Sequence, residues 1–221
     1  MGVTVQPPGR YDRDADVEPP YAADPTASAH VGWSIADPAP LGLAAFALTT
    51  FVLSMFNAGL VARGGEPIAF ALAFTYGGLA QLLAGMWEFR NGNTFGALAF
   101  SSYGAFWLSL FAYVQFFARD VPAVDAGHAL GLYLIGWGIF TAYLFVASLR
   151  TTAAVALVLL ALTLTYAALG IGNAGAHNTI VKIGGWLGLV TAGLAWYTSF
   201  AVVTNSTFKR VVLPVFPLGR A

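Results

Sequence analysis

The sequence predicts an all-α integral membrane protein with six transmembrane helices. Of its 221 residues, 58% are hydrophobic and 9% are charged, and the mean hydropathy is +0.72. An ordinary soluble domain carries roughly a quarter charged residues. The apolar residues form six long runs that are separated by short polar connections. We therefore expect a multi-pass protein in a cell membrane, either a plasma membrane or a bacterial inner membrane.

Composition divides the chain into three regions. Residues 1–35 are acidic and proline-rich and contain no long apolar run, which predicts a flexible tail. The composition becomes strongly apolar from Leu41 onward. Residues 36–214 are therefore expected to form the six-helix transmembrane domain, and residues 215–221 a short C-terminal tail.

The first apolar run begins after Asp37, Pro38 and Pro40, a segment with the properties of a helix start. Proline is tolerated in the first helical turn because the N–H that it lacks would have no partner there. The Asp37 carboxylate is expected to cap the helix by accepting a hydrogen bond from the Ala39 N–H. The first transmembrane helix is therefore predicted to begin here, at the cytoplasmic side, and to end near residue 62.

Each of the six runs is long enough to cross roughly 30 Å of hydrocarbon as a helix. The connections "ARGGEP", "RNGNT", "ARDVPAVDAG", "RTT" and "GNAGAHNTIVK" carry the glycine, proline, asparagine and charge typical of helix ends. A soluble bundle is disfavoured, because helices without a polar face would leave no surface for water. The predicted spans are residues 41–62, 67–89, 95–118, 128–148, 152–171 and 180–203.

The distribution of basic residues predicts that both termini are cytoplasmic. Lysine and arginine are enriched in the cytoplasmic loops of membrane proteins. Six antiparallel spans place both termini on one side, and most of the basic residues fall on that side. It would hold Arg10, Arg13, Arg90, Arg150, Lys209, Arg210 and Arg220, and the other side would hold Arg63, Arg119 and Lys182.

Charged side chains are nearly absent from the predicted spans. Only Glu88 and Lys182 fall within them, each close to an end. Glu88, with Arg90 nearby, is expected to be an anchor at the membrane interface; the alternative is a proton site. Because ionisable groups inside a membrane are costly and usually functional, their absence from the midplane argues against a charged relay. A solute crossing the bundle would be handled by neutral dipoles and by shape.

The first and fifth spans place similar side chains along one helical face, at steps of four, three and four residues. In each, an asparagine follows an apolar residue by eleven positions, about 16 Å of rise, and begins the tripeptide "NAG". Both spans run in the same direction, so an apolar layer and an amide layer are expected at matched depths. Alternatively, "NAG" only ends each helix. The two sets are Phe46, Thr50, Leu53 and Asn57, and Leu162, Tyr166, Leu169 and Asn173.

Hydroxyl groups cluster in the third span. Ser101, Ser102 and Tyr103 are consecutive, close to Phe106 and Trp107. A single serine usually bonds back to its own helix, whereas three consecutive hydroxyl groups predict a polar surface inside the bundle. The predicted substrate-binding and pore-lining residues are Thr50, Asn57, Ser101, Ser102, Thr163, Tyr166 and Asn173.

Several classes of function are not supported by the sequence. The formal net charge is zero and no basic run exceeds two residues, so nucleic acid binding is not expected. The three histidines are scattered and cysteine is absent, so no metal site is expected. No nucleophile and base are arranged together and no phosphate-binding loop occurs, so neither an enzyme nor a cofactor is expected.

Five motifs occur in order: "DPAPLGL" at 37–43, "NAG" at 57–59, "YGGLAQLLAGMWEF" at 76–89, "GNTFGALAFSSYGAFW" at 92–107 and "GN" at 172–173. Together they closely resemble the acetate uptake transporter family, which includes bacterial succinate–acetate permeases and fungal acetate permeases. The resemblance extends from Ala36 to Pro214. The family's Asn-Pro start is replaced here by Asp37-Pro38.

The resemblance implies a six-helix protomer with its own pore, assembled as a homo-hexamer in the lipid bilayer. It implies transport of acetate, and in some members of succinate or other short carboxylates, often coupled to protons. Family members narrow the pore with a Phe, Tyr and Leu constriction. By motif position this constriction falls on Phe46, Tyr103 and Leu162.

Two other functions stay open on the residues alone. A pore for small neutral solutes such as urea, amides or ammonia would equally lack buried charge. A membrane scaffold or sensor that uses the N-terminal tail would need no continuous pore.

Overall fold

The computed structural model describes residues 35–219, which form six helical spans long and apolar enough to cross a membrane. The predicted fold class is confirmed. Residues 1–34 and 220–221 lie outside the described residues. They include most of the predicted N-terminal tail and the basic residues Arg10, Arg13 and Arg220. The α-helices are α1 (Ala39–Asn57), α2 (Pro67–Phe74), α3 (Gln81–Arg90), α4 (Thr94–Ala112), α5 (Ala123–Ser148), α6 (Ala153–Ala174) and α7 (Asn178–Phe208).

The first span starts as predicted and ends earlier than predicted. The Asp37 carboxylate accepts a hydrogen bond from the Ala39 N–H at 2.9 Å, and proline occupies the first turn of α1. The helix ends at Asn57 and not near residue 62. Gly59 has a φ of 77°, a left-handed conformation that glycine adopts readily and that ends a helix. The apolar run continues past this glycine to about residue 62 and is therefore longer than the helix, whereas the alternative expectation that "NAG" ends the helix agrees with the structure.

The second span is interrupted by a π-helical segment. α2 and α3 are joined by this segment, which covers Thr75–Ala80. Gly77 within it lies so close to α1 that a Cβ atom there would be 2.6 Å from the Thr49 Oγ1. A π-helical turn holds more residues than an α-helical turn, so it changes the face on which the next residues lie. Gln81 is the first residue after the segment.

Small residues allow close approach between the spans. α1 packs on α7, α7 on α6, α6 on α5, and α3 on α4. A Cβ atom on Gly184 of α7 would lie 2.7 Å from the side chain of Leu169, and one on Gly131 of α5 would lie 2.9 Å from the carbonyl oxygen of Gly170. Such glycines let membrane helices pack at short distance, where van der Waals contact stabilises them.

Neighbouring spans run antiparallel: the start of α7 packs on the end of α1 at Gly185 and Ala58, and the Ser199 hydroxyl near the end of α7 donates to the Pro40 carbonyl oxygen at 2.7 Å. α1 therefore starts and α7 ends on the same side of the bundle, here called the terminal side. The other side is called the opposite side. Among the described residues, the basic side chains of the terminal side are Arg90, Arg150, Lys209 and Arg210, and those of the opposite side are Arg63, Arg119 and Lys182.

The chain after α7 folds back onto the connection between α5 and α6. The Asn205 side-chain oxygen accepts hydrogen bonds from the N–H groups of Val212 and Leu213 at 2.7 and 2.9 Å. The Leu218 N–H then donates to the Thr151 carbonyl oxygen at 2.8 Å. The described part of the predicted C-terminal tail, residues 215–219, is therefore hydrogen-bonded to the bundle.

Candidate transport pathway

Two cavities lie inside the bundle, one towards each side. The terminal-side cavity has a volume of about 170 Å³ and the opposite-side cavity about 150 Å³. Phe46 of α1 and Leu162 of α6 line both, so these two side chains lie where the cavities meet. Polar or hydroxyl-bearing residues of the terminal-side cavity are Gln81, Glu88, Asn93, Tyr103, Thr151 and Thr152, and those of the opposite-side cavity include Thr50, Asn57, Arg63, Glu66, Tyr166 and Asn173.

The layer between the cavities is apolar and tightly packed. Phe46, Tyr103 and Leu162 are each 3–4% exposed. The rings of Phe46 and Tyr103 have their centroids 5.9 Å apart. The Tyr103 hydroxyl donates to the Thr141 Oγ1 of α5 at 3.0 Å, which directs the polar end of the tyrosine towards α5. The structure thus brings the three residues of the expected constriction to one region of the bundle.

The opposite-side cavity carries the neutral polar groups of α1 and α6. Asn57 and Asn173, which begin the two "NAG" tripeptides, both line it. The Asn173 Nδ2 donates to the Leu169 carbonyl oxygen at 2.7 Å. The Thr50 Oγ1 is buried and has no hydrogen-bond partner among the described residues. α1 ends at Asn57 and α6 at Ala174, so each tripeptide both ends a helix and lines the cavity.

An ion pair lies at the mouth of the opposite-side cavity. The Arg63 guanidinium is 3.4 Å from the Glu66 carboxylate, and both residues line the cavity. The Arg63 side chain is 60% exposed. Ion pairs that are exposed to water contribute little to stability, so Arg63 can exchange Glu66 for another anion at small cost.

The terminal-side cavity contains a buried carboxyl group. Glu88 is 0% exposed and lines the cavity together with Gln81 and Asn93. The expectation that Glu88 is an anchor at the membrane interface was therefore wrong. A Cβ atom on Gly96 of α4 would lie 2.8 Å from the Glu88 carboxyl carbon, so the glycine leaves the space that the carboxyl group fills. Arg90, two residues later, is exposed.

Ser101, Ser102 and Thr163 do not line either cavity. Successive residues of an α-helix are about 100° apart around its axis, so the two serines cannot share the face that carries Tyr103. The Ser101 side chain packs against Gly85 of α3, and Ser102 lines an open groove beside α5. The Thr163 hydroxyl donates to a carbonyl oxygen of its own helix at 2.8 Å. The run of hydroxyl groups is therefore not one polar surface.

Gln81 and Asn93 were not predicted to line a cavity, and Glu88 was expected at the membrane interface instead. A signal for Gln81 was present, since it is an amide within the apolar run "GGLAQLLAG". Glu88 follows it by seven residues, two helical turns, and therefore lies on the same face. Asn93 starts α4 and accepts a hydrogen bond from the Gly96 N–H at 3.1 Å, a capping pattern that the sequence "NTFG" could have indicated.

Comparison with known proteins gives consistent results. The sequence matches the GPR1/FUN34/yaaH family over residues 21–220. It is 45% identical over 207 residues to "Acetate permease A" of Emericella nidulans, an alignment that covers 84% of this chain and 69% of that protein. It is 40% identical over 181 residues to "Succinate-acetate/proton symporter SatP" of Escherichia coli strain K12, covering 82% of this chain and 95% of that protein.

The fold is also similar to a solved structure, described as "Structure of the bacterial acetate channel SatP". The two chains are 39% identical and superpose with a TM-score of 0.77, covering 82% of this chain and 99% of the other. The resemblance found in the motifs is therefore confirmed. The chain belongs to the GPR1/FUN34/yaaH family.

Proposed function

We propose that this protein is a transmembrane channel or transporter for acetate, succinate and other short carboxylates, coupled to protons. One observation carries the proposal: in a member of this family, two cavities that open towards opposite sides meet at Phe46 and Leu162. Relatives named as an acetate permease and a succinate-acetate/proton symporter support the choice of substrate.

Phe46, Tyr103 and Leu162 are proposed to form the constriction of the pathway. An ionised carboxylate pays a large desolvation cost in an apolar layer, whereas a neutral acid pays much less. Short carboxylic acids have pKa values similar to those of side-chain carboxyl groups, roughly 4 to 5. A small fraction of the substrate is therefore neutral at mildly acidic pH. Passage as the neutral acid, or as the anion with a proton, gives proton-coupled uptake.

Neutral dipoles are proposed to hold the substrate on the opposite side of the constriction. Thr50, Asn57, Tyr166 and Asn173 line that cavity and carry hydroxyl and amide groups. Such groups bind a carboxylate only modestly. Modest binding favours transport, because a substrate must be released as well as bound.

The protomer is further proposed to assemble as a homo-hexamer with its termini in the cytoplasm and one pore in each protomer. Within the protomer, only 22% of the most apolar 18-residue stretch of α5 is buried. A large apolar face of α5 is therefore left for lipid or for a neighbouring protomer. The orientation is supported by Arg90, Arg150, Lys209 and Arg210 on the terminal side, since basic residues favour the cytoplasm.

Competition experiments in cells that express the protein test the choice of substrate. Excess unlabelled acetate and succinate are expected to reduce uptake of radiolabelled acetate, whereas urea and acetamide are expected to leave it unchanged. If unlabelled acetate has no effect while a neutral amide competes, the carboxylate assignment is wrong and a pore for neutral solutes replaces it.

A further inference from the structure

A carboxyl group without a partner is enclosed in the wall of the terminal-side cavity. Glu88 is 0% exposed, and neither of its carboxyl oxygens makes a hydrogen bond of good geometry among the described residues, although the Asn91 and Asn93 side chains lie beside it. Gln81 is 1% exposed, and its amide oxygen and nitrogen also lack partners there. Buried polar groups in folded proteins almost always have partners. The partner of these two residues is therefore water or a solute in the cavity.

The position of Glu88 is built into the packing of α3 on α4. The space for its carboxyl group exists because residue 96 is glycine, as a Cβ atom there would be 2.8 Å from the carboxyl carbon. The Asn93 side chain lies against the same glycine. Charged side chains near a helix end usually extend to the membrane interface. Glu88 instead turns into the bundle, which indicates a role inside the cavity.

The surroundings of Glu88 provide no positive charge. Among the described residues, no lysine, arginine or histidine nitrogen lies within 4.0 Å of its carboxyl group. The titratable groups that face it are Asp37, whose charge acts on it from the start of α1, and Tyr103, which lines the same cavity. A buried carboxylate without a counter-charge is costly. The buried Glu88 carboxylate would therefore be stabilised by binding one proton or by accepting a hydrogen bond from a group in the cavity.

We propose that Glu88 is a proton-exchanging residue that binds the substrate carboxyl group in the terminal-side cavity. This inference rests on the proposed function, since the substrate is taken to be a short carboxylate. Two carboxyl groups within hydrogen-bond distance share one proton, because two negative charges at that distance repel each other strongly.

The exchange balances without any other reactant. A protonated Glu88 donates its proton to an incoming carboxylate: the O–H bond of Glu88 breaks, an O–H bond of the substrate forms, and a Glu88 carboxylate and a neutral acid result. The neutral acid crosses the apolar layer, and Glu88 regains a proton from water on the terminal side. Transport in the other direction uses the same steps in reverse.

Gln81 is the next polar group on the way to the constriction. It precedes Glu88 by seven residues, about 10 Å of helical rise. Gln81 also lies at about the same depth as Tyr103. The residues that follow them, Leu82 and Gly104, are in contact, since a Cβ atom on Gly104 of α4 would touch the Leu82 backbone. An amide can both donate to and accept from a neutral carboxylic acid. A substrate that enters from the terminal side therefore meets Glu88 first, where it is protonated, and Gln81 second, before it enters the apolar layer.

The variant Glu88→Gln tests the proposal, because glutamine keeps the size of the side chain and removes the exchangeable proton. Full-length protein is reconstituted into vesicles, and initial rates of labelled acetate uptake are measured from mildly acidic to neutral pH after subtraction of protein-free vesicles. In vesicles whose terminal side faces outward, a substrate that meets no Glu88 must arrive already neutral, so uptake by the variant is expected to fall about tenfold per pH unit. Uptake by the wild type is expected to fall less steeply.

Two further variants serve as controls. Glu88→Asp keeps a carboxyl group and is expected to restore a shallow pH profile, while Asp120→Asn removes an exposed acid that lines neither cavity and is expected to match the wild type. An unchanged profile in Glu88→Gln, or faster flux at neutral pH, would overturn the role of Glu88 and leave the proposed function standing. Absence of acetate uptake by the wild type would instead refute the proposed function.

A measurement on the wild type keeps the proposal testable if Glu88→Gln does not insert into membranes. Dicyclohexylcarbodiimide modifies protonated carboxyl groups in apolar surroundings, and mass spectrometry locates the product. Acetate is expected to slow the modification of Glu88 several-fold and to leave any modification of Asp120 unchanged. Modification of Glu88 at the same rate with and without acetate would contradict binding at this residue.

Discussion

Replacing Leu162 by alanine should widen the passage between the two cavities. Leu162 is 3% exposed and lines both cavities, which have volumes of about 170 and 150 Å³. The variant is expected to admit succinate better relative to acetate. Succinate exceeds acetate by a methylene and a second carboxyl group. Because one methylene in an apolar pocket changes selectivity by about 1–3 kcal/mol, the ratio of succinate to acetate uptake should rise at least about fivefold when the steric barrier is removed.

The cost in stability should be small enough for the variant to fold. Leucine to alanine changes in a packed core cost about 2–5 kcal/mol. Leu162 already borders empty space on two sides, and an unfolded membrane helix remains in apolar lipid, so the lost packing is expected to cost about 1–2 kcal/mol. Thermal stability in detergent, followed by size-exclusion chromatography, measures this cost.

Initial rates of labelled acetate and succinate uptake into proteoliposomes measure the change in selectivity. Leu164→Ala is the matched control, because Leu164 lies on the same helix, is 49% exposed on the outer face and lines neither cavity. An unchanged uptake ratio in Leu162→Ala with normal protein levels, or an equal rise in Leu164→Ala, would refute the placement of Leu162 in the constriction.

Three further predictions concern the two mouths and the packing of the bundle. Asp37→Asn keeps an oxygen that can accept a hydrogen bond from the Ala39 N–H and removes a negative charge. The stability of the protein should therefore be unchanged, and acetate flux should stay equal or rise. A large loss of flux in transport assays would contradict this prediction. Arg63→Gln should raise the KM for acetate uptake by about two- to fivefold. Arg119→Gln changes a residue that lines neither cavity and should leave the KM unchanged. Equal effects of the two variants would contradict a role of Arg63 in binding the incoming carboxylate. Gly185→Ala should destabilise the protein by about 1–3 kcal/mol, because the added Cβ atom would collide with the Ala58 backbone. A Cβ atom at Gly193 would meet open space, so Gly193→Ala should leave the melting temperature nearly unchanged.

The spans and the apolar layer follow from local rules that a sequence displays directly. Long apolar runs between glycine, proline and charged residues predicted all six helices. The steps of three and four residues that connect Phe46 with Asn57, and Leu162 with Asn173, predicted which side chains share a face. In the structure Phe46 and Leu162 line both cavities and the two asparagines line one of them, so helical periodicity alone was sufficient here.

The burial of Glu88 could not be predicted from its position near a helix end, because it depends on a different helix. The space for its carboxyl group comes from Gly96 of α4. The rotation of α3 also depends on the π-helical segment before Gln81, for which the glycine pair in "YGGLA" is a weak signal. The error at Ser101 and Ser102 was different, since the angle between successive helical residues was sufficient to separate them from Tyr103.

Uptake of labelled acetate and succinate by the reconstituted full-length protein, with the pH gradient across the vesicle membrane set independently, tests the proposed function most directly. Acetate uptake is expected to be saturable, to exceed that of protein-free vesicles, to be faster when the outside is acidic, and to be inhibited by succinate. Correctly folded protein whose vesicles take up acetate no faster than protein-free vesicles, at any pH gradient, would contradict the proposed function.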